Sequence, residues 1–172
     1  IIVDADDEES EKEEQGLGQR FRSLAEKAAR ESLTVQNTTI GHILLAQTLL
    51  QSDDGRLDGA EEQLHEAQTL SPTPLEAASI EASLGDINMM KKQYEEALSH
   101  FRRTLEIQPD FPNVWINLGR AYKVAGHTEE AIDAFKQAIA LRADNIEAYE
   151  ELANLYIENG RIDEARDLLE ES

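Results

Sequence analysis

The sequence predicts an all-α fold, an array of short antiparallel helix hairpins stacked side by side. Three observations predict it. Beyond the first fifteen residues, apolar side chains recur at helical spacing, and no stretch shows the β-branched alternation of a strand. Short turn signals break that pattern, SDDG at 52–55, AGHT at 125–128 and ENG at 158–160. A shift of 34 residues also lays like on like: Leu84, Leu118 and Leu152; Gly85, Gly119 and Ala153; Ala97, Ala131 and Ala165; Phe101, Phe135 and Leu169; Gly126 and Gly160. A fixed period of that length marks a stacked array, because one hairpin cannot bury its own apolar face and needs a neighbour. Gly or Ala fits where two helices cross closely, which accounts for Gly119 and Ala131, and Leu118, Tyr122 and Phe135 fill the space between hairpins.

Taken in order, residues 1–15 form an acidic tail expected to be disordered. Residues 16–36 read as a lone helix with a stripe of Leu17, Phe21, Leu24, Ala28 and Leu33. It serves as an N-terminal cap or as the remnant of a decayed repeat. An irregular first unit spans 37–77, with Asn37 or Thr38 as helix cap and Leu45, Ala46 and Leu49 on the packing face. Its second helix carries Ala60, Leu64 and Ala67, and its turn at 52–55 is longer than usual. Prolines in SPTPLEAA mark the mouth of the next helix. The second unit runs over 78–111, the third over 112–145, and the fourth over 146–172 with no polar closing helix after it. Leu168 and Leu169 are therefore expected to face further repeats, another copy or solvent.

Composition narrows the function classes. Sixteen basic against 36 acidic residues give a net charge of −20, and the first fourteen residues, with eight acids and one Lys, supply −7 of it. Such a surface repels phosphate, so nucleic acid and anionic membranes are poor partners. The acidity reads either as solubility in a salty cytosol or as steering of a basic partner. No run of eighteen apolar residues suggests membrane insertion, and no signal peptide is evident. Cysteine is absent, in keeping with a cytoplasmic location. The missing initiator Met suggests a start inside a longer protein, or one left by processing. His42, His65, His100 and His127 are scattered without metal-ligand spacing and are expected on the surface or lining a groove. No phosphate loop and no catalytic constellation is present, so neither catalysis nor a cofactor is expected.

The repeated residues resemble the tetratricopeptide repeat family: an aromatic, Leu-Gly, Tyr, a turn Gly, then Ala, Phe, Ala and a closing Pro. Residues 112–143 match this pattern closely and residues 146–172 match it well. The unit from 78 keeps Leu84, Gly85, Ala97, Phe101 and Pro109 but places Glu81 and Asn88 where aromatics are usual. The resemblance implies a right-handed superhelical α-solenoid that binds protein or peptide on its concave side. It covers about three quarters of the chain, with several matched positions per unit.

The concave residues are those that packing leaves over on each first helix. They are Ala82, Ser83, Asp86, Met89 and Met90; Asn113, Ile116, Asn117, Arg120, Lys123 and Val124; and Glu147, Glu150, Glu151, Asn154, Ile157 and Glu158. The first unit adds Ile43, Leu44 and Gln47. Co-chaperones of this family clamp a carboxylate with Lys, Asn and Arg. Here Ala82, Asp86, Asn117, Glu147 and Glu151 occupy those places, and the acids would repel it. INLGR and ELANL look like the Asn-bearing helices of the O-GlcNAc transferase superhelix, but here only Asn117 and Asn154 stand in such places. The expected ligand is a protein segment, amphipathic and basic at one end. Alternatives are the recognition arm of a larger enzyme, such as a glycosyltransferase, and a scaffold that self-associates through its open C-terminal end.

Overall fold

The computed structural model describes residues 18–31, 33, 37–51 and 56–171; the acidic tail and the long turn at 52–55 lie outside the described residues. Nine helices and no strand occur among the described residues. They are α1 (18–31), α2 (Thr39–Leu50), α3 (Leu57–Thr69), α4 (Pro74–Met90), α5 (Tyr94–Ile107), α6 (Pro112–Ala125), α7 (Thr128–Leu141), α8 (Ile146–Glu158) and α9 (Ile162–Glu171). They fall into two compact units, Ile1–Pro72 and Thr73–Ser172.

In the first unit α2 and α3 pair as a hairpin. Thr38 caps α2 by accepting a hydrogen bond from the Gly41 amide at 3.1 Å. Leu45, Ala46 and Leu49 of α2 meet Ala60, Leu64 and Ala67 of α3 in a dry seam. The described residues before α2 are held at several points, Arg22 donating to the Gln51 carbonyl at 3.3 Å among them. A Cβ on Gly41 would meet Leu33 Cδ2 at 2.6 Å, and Arg56 donates to both carboxylate oxygens of Glu26, at 3.0 and 2.8 Å. That guanidinium keeps the Glu26 carboxyl below its ordinary pKa. His42 departs from its expected surface place: it is 8% exposed and held between Gln63 and Asn37. Those two amides satisfy an imidazole that the hairpin seam would otherwise bury without partners.

The second unit stacks three hairpins, α4–α5, α6–α7 and α8–α9. α4 opens on a capping box. Thr73 accepts from the Glu76 amide while the Glu76 carboxylate accepts from the Thr73 amide, and Pro74 occupies the first turn. The seam expected between residues 77 and 78 lies inside this helix. Gly126 and Gly160 end α6 and α8 at φ 83° and 71°, the left-handed region that lets the chain reverse tightly.

Packing within the α4–α5 and α6–α7 hairpins hinges on a glycine under an aromatic ring. Phe101 of α5 lies on Gly85 of α4, and Phe135 of α7 lies on Gly119 of α6. Successive hairpins are joined by the faces of α6. Val114, Leu118 and Ala121 pack against Ala97, Leu98, Phe101 and Leu105. Ile116 turns toward the next hairpin, with Ile132, Phe135, Ala148 and Leu152. Trp115 is half-buried between both groups and donates from Nε1 to the Pro109 carbonyl at 3.0 Å. Glu81, where an aromatic would be usual, is 7% exposed and receives His100 Nδ1 at 2.8 Å and Arg103 Nε at 3.4 Å. Leu168 is half-buried against the last core cluster, while Leu169 stays exposed.

Candidate functional site

The first helices of the second unit, α4, α6 and α8, are stitched side to side by polar links. Asn117 Nδ2 donates to Asp86 Oδ1 at 2.9 Å. Arg120 donates from Nε to Glu151 at 2.7 Å and from Nη2 to Glu147 at 2.9 Å. Lys123 reaches Glu158 at 2.8 Å. The first two links share one offset: Asp86–Asn117 and Arg120–Glu151 both join residues 31 positions apart. Each is a repeat length less one helical turn, so each joins a residue on one first helix to its neighbour's previous turn.

These links surround a cleft of about 210 Å³ lined by Asp86, Met89, Met90, Asn117 and Arg120. All five are among the residues that the sequence points to. Asp86 is half-buried, and burial pushes its carboxyl up to about 6 despite the opposing hydrogen bond from Asn117. Partial burial works against the Arg120 charge, but the hydrogen bonds it donates to Glu151 and Glu147 overcome it and raise its pKa. Arg120 is thus neutralised within the protein, and its charge is not free to offset Asp86. Asn117 commits one of its two amide N–H groups to Asp86.

Along the same helices Asn113, Val124, Glu147, Glu150, Asn154 and Ile157 are exposed. The large apolar ones, Met90, Val124 and Ile157, are 52%, 53% and 51% exposed near the C-terminal ends of α4, α6 and α8. Three expected groove residues are corrected. Ile116 is 1% exposed, because its place on α6 faces the next hairpin rather than the open side. Ser83 and Ile43 are also buried, at 6% and 7%. Sequence reasoning missed the ion pairs that occupy Arg120 and Lys123. Their signal was present as opposite charges 27 to 35 residues apart.

Among the described residues, no group of three or more His, Cys, Asp or Glu side chains is placed to hold a metal ion. Nor is any helix long and apolar enough to cross a membrane.

Tetratricopeptide repeat profiles match residues 76–144 and 125–172, together more than half of the 172 residues. The chain belongs to the tetratricopeptide repeat family. Among solved structures it is similar to the crystal structure of MamA, with a TM-score of 0.73 and 22% identity over 99% of this chain and 94% of that one. The MamA RS-1 ArsTM double mutant gives 0.74 at 18% identity, over 92% and 86% of the two chains. A chain of the APC/C hetero-tetramer Cut9-Hcn1 gives 0.75 at 23% identity, over 87% of this chain and 29% of that longer one. This likeness shows the fold, an all-α tetratricopeptide solenoid. No curated protein matches the chain. Arrays of this family typically act as protein-interaction scaffolds, presenting an extended surface.

Proposed function

We propose that this chain is a non-enzymatic scaffold that holds a segment of a partner protein across α4, α6 and α8 of its second unit. The segment is amphipathic, with an apolar edge and a basic end. The observation that carries this reading is the exposed apolar series Met90, Val124 and Ile157, on helices where the four acids Glu147, Glu150, Glu151 and Glu158 outnumber the two cations they meet, Arg120 and Lys123. Apolar contact supplies affinity, and the acids supply orientation and on-rate toward a cation. Residues 73–172 hold ten basic and twenty acidic residues, so the field around this face also attracts a basic segment.

Fluorescence-anisotropy titration of the whole chain with amphipathic peptides of matched hydrophobicity, basic in one set and acidic in the other, tests the reading. The basic set should bind more tightly by about tenfold or more at moderate salt, a difference of roughly 1.4 kcal/mol. Equal or weaker binding of the basic set ends the proposal.

A further inference from the structure

The cleft at Asp86 has chemistry narrower than that of a general peptide surface. Its volume, about 210 Å³, lies below the roughly 300–1,000 Å³ of sites for drug-sized ligands and suits one long side chain. Met89 and Met90 give it pliable apolar walls. At its base Asp86 has Oδ1 engaged by Asn117, which leaves Oδ2 as an acceptor. Arg120, the cation among the lining residues, is already bound to Glu151 and Glu147. What remains is an open, largely apolar cleft that has one carboxylate oxygen, Asp86 Oδ2, among its lining groups.

We propose that this cleft is the receptor for a lysine side chain of the bound partner, whose methylenes lie along Met89 and Met90 while its ammonium donates to Asp86 Oδ2. The proposal rests on the scaffold reading above and names the residue that the second unit recognises. Three alternatives fit less well. A purely apolar tip would leave the Asp86 carboxylate desolvated without a new partner. A carboxylate would meet Asp86, a group of its own sign, while the lining cation Arg120 is already bound to two acids. Arginine gains most from two parallel hydrogen bonds to two oxygens, and one of the two is taken. Lysine needs a single acceptor and an apolar path for its stem, and the cleft provides both.

The chain has two methionines, Met89 and Met90, and both line the cleft, so carbon-13 methyl NMR of labelled methionine reads the site directly. The probes are Nα-acetyl-lysine methylamide and its norleucine, Nε-acetyl-lysine and arginine counterparts. The lysine probe should shift both methyl signals saturably. The norleucine and Nε-acetyl-lysine probes should bind about tenfold more weakly, the arginine probe more weakly than lysine, and Asp86→Asn should lower lysine affinity by about tenfold. Asp86→Asn keeps the acceptor for Asn117, and an unchanged far-ultraviolet circular dichroism spectrum verifies its fold.

An equal response to norleucine, undiminished binding by Asp86→Asn, or methyl signals that stay still at saturating probe each overturns the proposal. If basic peptides bind in the anisotropy titration while the methyl signals ignore lysine, this inference falls and the scaffold reading stands. If the lysine probe titrates but basic peptides show no preference, the scaffold reading falls instead.

Discussion

A Cβ built on Gly119 would lie 2.6 Å from Cε1 of Phe135, and one on Gly85 would lie 2.5 Å from Cε1 of Phe101. Both rings are fully buried, so neither can swing aside. Alanine normally gains about 1 kcal/mol over glycine inside a helix. Here the overlap outweighs that gain, and Gly119→Ala should destabilise by about 1–3 kcal/mol, read as a lower midpoint in guanidinium unfolding. Asp86 has a different cost. Its carboxyl titrates near 6 in the folded protein against an ordinary 3.8, so the folded state binds the proton more tightly. Stability therefore falls as pH rises from 3.8 to 6 and stays low above that. Asp86→Asn removes the buried charge and keeps the Asn117 hydrogen bond. It should stabilise by about 1–3 kcal/mol at neutral pH, with the gain vanishing below about pH 4. A gain that persists at low pH would mean the carboxylate is not the cause.

At the scale of the helix, α4 and α6 show what a first helix must do. The capping box Thr73–Glu76 starts α4 at an exposed site away from the core. Thr73→Ala should cost about 1 kcal/mol in urea unfolding, with the slope of the transition unchanged. The start signals of α2 and α4 were legible because such signals are local: Thr38 and Pro74 act within one turn. α6 was legible in outline and misread in detail. Ile116 was assigned to the open side, yet it packs toward Ile132 and Leu152, because a helix inside a stack has neighbours on more than one flank. A period of 3.6 separates apolar from polar positions, but it does not say which of two apolar flanks a residue serves.

Across the whole chain the excess of acids, 36 against 16, sets a repulsion that the named ion pairs relieve in places. Added salt screens both, but mostly exposed pairs contribute little each and the net repulsion acts everywhere. The melting temperature should therefore rise by about 2–6 °C between about 0.05 and about 1 M NaCl. A fall would show that the bridges to Glu147, Glu151 and Glu158 dominate. The 34-residue period, the hairpin turns at Gly126 and Gly160, and the close helix crossing at Gly119 all belong to the sequence alone. They follow from local helix geometry and from the size of a hydrogen atom against a methyl group. The tertiary structure decided which concave candidates are free. Asp86 with Asn117, and Arg120 with Glu147 and Glu151, meet only when successive hairpins stack, since each pair joins residues 27 to 31 positions apart. Charge partners at that distance depend on how neighbouring helices lie against each other, and no local rule of the chain specifies that.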